Sequence, residues 1–244
     1  MSVQIVEVIR RSDQGITRPF ICRGDDNETY FVKGRDAGRR SLICEWIAGH
    51  LGVALGLPIA PFAIVDVPEE LLHAGGALDL ADLGAGPAFG SRRRKVMELN
   101  SATVELVPDE LQRDVLAFDW WIRNPDRYLT EHGGNPNLFW DAEAGELVVI
   151  DHNQAFSSDF DPKPFLELHV FANQVGSVFR DIARRGEYNY RFSAALDDWE
   201  QIRGSLPEEW HFSDPEMTVP ADFDLDAAYQ ELHGFRQPDF WEES

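Results

Sequence analysis

Arg123-Asn124-Pro125-Asp126-Arg127, then His132-Gly133-Gly134-Asn135-Pro136-Asn137-Leu138-Phe139-Trp140, then Leu147-Val148-Val149-Ile150-Asp151-His152-Asn153, is the stretch whose reading decides the fold. Before it, Pro108-Asp109 opens a helix that carries Leu111, Val115, Phe118 and Ile122 at helical spacing. That helix stops at Asn124, because a proline at 125 excludes the helical conformation in the residue before it. Asp126 therefore stands just past a helix end, at the start of an irregular loop, where a carboxylate can face a cleft and orient a hydroxyl nucleophile. Leu138–Trp140 and Leu147–Ile150 are short apolar runs separated by Asp141-Ala142-Glu143-Ala144-Gly145-Glu146, a hairpin loop. A regular hairpin centred near Ala144 sets Asn137 opposite Asp151. Opposed residues of an antiparallel pair have Cα atoms about 4.5–5.5 Å apart. An amide oxygen and a carboxylate held that close make a hard-oxygen clamp suited to Mg²⁺, which keeps its waters and bridges phosphates. Singly, each of these elements is also a common turn or cap. The ordered set points to chemistry.

Upstream, the chain reads as strands around one helix. Val3 to Ile9 is rich in β-branched residues, and Phe20 to Arg23 and Glu28 to Lys33 flank a Gly24-Asp25-Asp26-Asn27 turn. Ser41 to Leu55 has helical spacing, ended by Gly56 and Pro58, and Phe62 to Val67 is a further strand. Residues 68–100 form a Gly-rich and then basic connection with a strand expected around Arg94 to Leu99. Lys33 ends a strand, and Glu45 lies between Ile43, Cys44, Trp46 and Ile47. A charge in an apolar helix segment needs a partner, and Lys33 is the nearest by order. Such a pair is how protein kinases hold the α- and β-phosphates of a nucleotide. Downstream, helices are expected over 165–183, about 190–203 and 224–233.

The order strand Lys, helix Glu, Asp, Asn, Asp resembles the protein-kinase-like superfamily. More closely, Asn124-Pro125-Asp126-Arg127 resembles the N-x-D-R catalytic segment of HipA-like kinases and of type II phosphatidylinositol 4-kinases. Ile150-Asp151-His152-Asn153-Gln154-Ala155-Phe156 looks like their metal-binding segment. The run from Glu45 through Ala54-Leu55-Gly56-Leu57-Pro58 is similar to the HipA-family helix that carries the glutamate. The resemblance covers about residues 5–160. It implies a two-lobe α+β protein-kinase-like fold, with a β-rich N-lobe over 1–100 and a mostly helical C-lobe over 101–244, and with ATP and Mg²⁺ in the cleft. By the same resemblance Lys33 holds nucleotide phosphates, Glu45 orients Lys33, Asp126 is the catalytic base or hydroxyl-orienting group, and Asn137 and Asp151 hold metal. The acceptor it implies is a Ser/Thr hydroxyl of a protein substrate, with a lipid or small-molecule alcohol as alternative. A kinase fold that binds nucleotide or a partner without turnover is the non-enzyme alternative. The sequence departs from the family pattern in three places. The loop from Asp126 to Asn137 is longer than the usual D-x4-N spacing, which makes Asn135 a rival metal ligand. His152 and Asn153 replace the Phe-Gly of the kinase form. The phosphate-covering loop Ser12–Arg18 has one glycine, Gly15; Thr17 and Arg18 are its candidate donors to phosphate, with a plain hairpin turn as the alternative.

Composition bounds what else the chain can be. Its 244 residues are 43% hydrophobic and 27% charged, a globular composition that excludes collagenous, low-complexity and wholly disordered classes. The net charge of −21 repels nucleic-acid phosphates and anionic lipid headgroups, so neither nucleic acid nor membrane insertion is expected. That charge is uneven. Residues 1–45 carry eight basic and seven acidic side chains, whereas 196–244 carry two and fourteen. An anionic ligand is expected toward the N-terminal part, and the acidic C-terminal region is a solvated face or a partner-docking surface. Cys22 and Cys44 supply no disulfide framework and read as buried thiols of a reducing, cytoplasmic setting. The N-terminus lacks an apolar signal-peptide core. No HxxxH, HExxH, G-x-S-x-G or Walker pattern is present.

Overall fold

Alternating β-branched and aromatic residues at the N-terminus pair into a closed five-stranded barrel. The computed structural model describes residues 2–12, 18–74, 79–131 and 133–243. The barrel strands are β1 (Val3–Arg11), β2 (Phe20–Gly24), β3 (Thr29–Lys33), β4 (Phe62–Val67) and β5 (Gly86–Arg92), in the order β1-β2-β3-β5-β4. All contacts are antiparallel except β1 with β4. Ile5, Phe20, Cys22, Tyr30, Val32, Val65, Val67 and Ala88 fill the interior, joined by Leu80 and Leu83 from the loop before β5. Cys22 and Cys44 are free and buried, and burial pushes both thiols up to about 12, so neither is a thiolate at neutral pH.

Two expectations for residues 68–100 are corrected here. The strand that closes the barrel is β5, and the expected strand at Arg94–Leu99 shrinks to β6 (Met97–Glu98). β5 escapes a propensity reading because it is built from small residues. A Cβ at Gly90 would lie 2.6 Å from Val65 Cγ1, so the strand packs against β4 only without a side chain there. A short helix, α2 (Glu69–Ala74), precedes it, and α1 is Arg39–Ala54.

The chain comprises two compact units. Unit 1 comprises Met1–Trp46, Ala60–Lys95 and Leu206–Phe223; unit 2 comprises Ile47–Ile59, Val96–Ser205 and Asp224–Ser244. In unit 1, the returning segment sets Trp210 edge-on to Trp46 of α1, with ring centroids 6.5 Å apart. The Trp210 indole donates to the Pro87 carbonyl of β5 at 2.9 Å, and Arg39 donates to the Phe212 carbonyl. Trp210 is fully buried.

Unit 2 is built on α3 (Asp109–Trp121), whose Val115, Leu116, Phe118 and Trp121 are buried. Trp121 stacks on Phe192 at 4.3 Å, and Trp120 meets Phe179 edge-on at 4.9 Å. These aromatics are core. After β7 (Tyr128–Thr130) and β8 (Gly133–Asn135), a small hairpin, come β9 (Leu138–Asp141) and β10 (Glu146–Val149), the latter pair extended by β6 into one sheet. Five helices follow: α4 (Pro162–Leu168), α5 (Val175–Phe179), α6 (Ile182–Ala195), α7 (Trp199–Gly204) and α8 (Leu225–Leu232). The single helix expected over 165–183 is thus two short ones, and the helix expected from about 190 starts earlier, where Asp181 caps α6 by accepting from Ala183 N and Arg184 N. Among the described residues no helix is long and apolar enough to cross a membrane.

Candidate functional site

In unit 1, Lys33 is the last residue of β3 and Glu45 lies on the second turn of α1. Lys33 Nζ meets Glu45 Oε1 at 2.5 Å, with the carboxylate 2% exposed and the ammonium 10%. A carboxylate so buried costs several kcal/mol of hydration, roughly, and the opposed ammonium offsets it. Phe20 of β2 pairs with Val32 of β3, so Arg18, two residues before Phe20, belongs to the same end of the strand pair as Lys33. Arg18 is exposed, takes a left-handed conformation (φ 42°), and its carbonyl accepts from Arg11 Nε at 3.0 Å. Arg11 in turn grips Asp36 and Asp82, tying the base of the β1–β2 loop to the chain that follows Lys33. Thr17 lies outside the described residues, as does His132.

In unit 2, Asp126 is half-buried and accepts from two amides. Asn135 Nδ2 donates to its Oδ2 at 2.9 Å; Asn137 Nδ2 donates to its backbone oxygen at 2.9 Å and to Oδ2 at 3.3 Å. Burial raises the Asp126 carboxyl above the ordinary range; the Asn135 amide opposes this, and the nearby Asp151 carboxylate raises it further. Asp126, Asn135, Asn137 and Asp151 therefore share one neighbourhood.

The pairing of Asn137 with Asp151 is corrected. Asp141 pairs with Glu146 and Leu138 with Val149, which leaves four residues in the loop and shifts the register by one. Asp141 Oδ1 accepts from Glu143 N and Ala144 N, and Gly145 closes the turn at φ 69°. That side-chain turn with a left-handed glycine fixes an even loop, so Ile150 N donates to the Asn137 carbonyl and Asp151 lies one residue beyond. Asn137 (φ 49°) and Asp151 (φ 58°) are both left-handed, so the strand alternation ends at them.

Arg127, absent from the sequence reading as a functional residue, holds these two positions. Its side chain is fully buried; Nη1 donates to the carbonyls of Pro136 (3.1 Å), Asn137 (2.8 Å) and Ile150 (3.3 Å), while Nε donates to Asp119 Oδ2 at 2.6 Å. Asp119 also accepts from Asn124 Nδ2 and from His169 Nε2. Burial works to raise the Asp119 carboxyl; the Arg127 guanidinium and His169 overcome it and hold the group at about 2. Burial lowers His169, and Phe171 N donates to its Nδ1, so the ring is neutral with its proton on Nε2. Tyr128 bridges His169 and Val170 N donates to the Arg127 carbonyl, which is why the expected 165–183 helix breaks there.

This network carries a pH dependence. The unfolded chain protonates His169 near pH 6.5, whereas the folded ring resists it, so stability falls as pH drops below that value. Asp119 adds to the loss as pH falls from about 3.9 toward its folded value of about 2. Thermal melts between pH 7 and 5 are expected to be shallower for His169→Gln than for the parent, by up to ~1.4 kcal/mol per pH unit. Equal slopes would show that His169 is not the neutral group.

The donor set suits a hard divalent cation. With Nδ2 of Asn137 turned toward Asp126, its Oδ1 is the end left to a cation, and Asp151 adds a carboxylate; Mg²⁺ takes such oxygens with retained waters. Among the described residues no group of three His, Cys, Asp or Glu side chains gathers to hold a metal.

A family match defines the chain as a kinase-type phosphotransferase. The HipA-like kinase family matches residues 5–244, and the chain belongs to that family. It is similar to the crystal structure of the Helicobacter pylori proinflammatory kinase CtkA, at 12% identity and a TM-score of 0.44, over 96% of this chain and 92% of that one. No curated protein matches the sequence.

Proposed function

We propose that the protein is an ATP- and Mg²⁺-dependent kinase that transfers the γ-phosphoryl group to a hydroxyl, that of a protein Ser or Thr. The observation that carries this reading is the gathering of Asp126, Asn137 and Asp151 within one Arg127-held cluster. We infer a two-lobe protein-kinase-like fold, in which unit 1 supplies the phosphate contacts and unit 2 the transfer chemistry. Lys33, kept straight by Glu45, takes nucleotide phosphate, and Arg18 with Thr17 adds donors. Asn137 and Asp151 hold Mg²⁺, with Asn135 its rival, and the ion when bound neutralises charge on phosphate oxygens. Asp126 orients the acceptor hydroxyl and takes its proton; its raised carboxyl is a better base than an ordinary aspartate. Membership of the HipA-like kinase family supports a protein acceptor, and the −21 charge opposes an anionic membrane substrate. The acidic stretch 196–244 is the surface we assign to a partner, and a cytoplasmic location fits the buried thiols.

Transfer from radiolabelled ATP tests this. The parent protein with Mg²⁺ is expected to label itself or a lysate protein, and Lys33→Met to lower that labelling by about tenfold or more, a barrier rise of at least ~1.4 kcal/mol. Full activity in Lys33→Met moves the phosphate contact to Arg18 or Arg35. Label on lipid or a small alcohol overturns the protein acceptor, and neither transfer nor ATP hydrolysis in the parent leaves a nucleotide-binding module.

A further inference from the structure

Away from the residues named so far as carrying transfer, unit 2 contains a pocket of about 470 Å³ lined by Arg113 of α3, Gly176 and Ser177 of α5, Arg180, Asp181 and Arg184. Three arginines and one aspartate line it, in a chain of net charge −21. Asp181 is committed to capping α6: its Oδ1 accepts from Ala183 N at 3.0 Å and Arg184 N at 3.2 Å. The positive character of the pocket therefore comes from side chains rather than from the helix end. Nε of Arg113 and Nε of Arg184 are buried without a hydrogen-bond partner. Arg113 Nη1 reaches Gln174 Oε1 only at 3.4 Å. A buried donor left unmet costs about 1–3 kcal/mol, and both of these arginines line the pocket. Arg180 pairs with Glu243 at 2.8 and 2.9 Å, but on the surface, where such pairs contribute little. A Cβ at Gly176 would meet nothing within 4 Å, so the pocket is open beside it.

We propose that this pocket is a second ligand site, independent of ATP, that binds a phosphomonoester. Three forked guanidinium groups and the Ser177 hydroxyl offer more donors than the two oxygens of a carboxylate can use, and they suit the three terminal oxygens of a phosphomonoester. A free phosphate and a phosphorylated side chain share this chemistry.

Calorimetric titration of the full chain in chloride buffer, with inorganic phosphate, O-phosphoserine and serine, tests the site. Saturable binding of a phosphate-bearing probe and none of serine is expected. The Arg113→Gln/Arg184→Gln double variant is expected to weaken it by about tenfold or more, or ~1.4 kcal/mol. Gly176→Glu, which places a carboxylate in the open space without displacing anything, is expected to do the same and serves if the double variant fails to fold. Tighter binding of phosphoserine assigns the site to a phosphorylated side chain; tighter binding of phosphate assigns it to a free anion. Lys33→Met, which removes the proposed ATP contact, is expected to leave the binding intact, so the kinase reading and this one fail separately. Absence of saturable binding, an unchanged affinity in both pocket variants, or loss in Lys33→Met alone overturns the proposal.

Discussion

Asp126→Asn is expected to lower phosphoryl transfer by about 10²–10⁴-fold, the usual contribution of a positioned acid–base group, while Mg²⁺-dependent ATP binding stays within a few-fold. That is a difference of roughly 1 kcal/mol or less in binding. The structural ground is the setting of Asp126. Its oxygens accept from Asn135 and Asn137, and an Asn side chain can keep either contact by presenting its carbonyl end. What the amide cannot do is accept a proton. Asp151→Asn is expected to behave differently, losing transfer together with most of the Mg²⁺ dependence of ATP binding, because a metal ligand holds the ground-state nucleotide as well as the transition state. Calorimetric titration of both variants with and without Mg²⁺ decides between the roles. Loss of Mg²⁺-linked binding in Asp126→Asn, with retention in Asp151→Asn, would reverse them.

The second large effect is expected at Arg127. Arg127→Ala leaves Asp119 fully buried with only His169 and Asn124 as partners, and breaking one side of a buried ion pair costs about 3–5 kcal/mol. For a chain of this size each kcal/mol moves the melting temperature by roughly 2–4 °C, so a drop on the order of 10 °C is expected. Adding Asp119→Asn to Arg127→Ala removes the stranded charge and is expected to recover part of the loss. Strict additivity of the two substitutions would contradict the coupling. Arg127→Lys keeps the charge but not the fork that reaches three carbonyls. It is expected to lose transfer by more than its modest loss of stability explains, since the backbone of Asn137 and Ile150 is no longer pinned.

Where the sequence was legible, a local rule was enough. The end of α3 before Asn124-Pro125, the β2–β3 hairpin and the pairing of Glu45 with Lys33 follow from proline sterics, turn residues and the cost of a lone buried charge. The same charge argument reaches Asp119, which sits between Phe118 and Trp120; applied there, it would have pointed to Arg127 as partner. Asn137 and Asp151 were set opposite each other by a hairpin register that is off by one, and both lie outside β9 and β10 at left-handed positions. β5 was illegible because closeness to β4, not propensity, selects Gly90. The break after α4 was illegible because its cause, a histidine drawn to Asp119, lies 50 residues away in the chain. Long-range constraints of this kind leave no periodic trace.

The return of Leu206–Phe223 to unit 1 has a bearing on how the protein is made. The barrel strands are all synthesised by Arg92, yet Trp210, which plugs the space between Trp46 of α1 and the Pro87 carbonyl, comes more than a hundred residues later. At ribosomal speeds of about 5–20 residues per second, the barrel waits on the order of 10 s for its last aromatic. During that interval Trp46 of α1 and the Pro87 carbonyl lack their Trp210 neighbour. Birth order therefore works as a delay: unit 1 is completed only after residues 96–205 of unit 2 have been made.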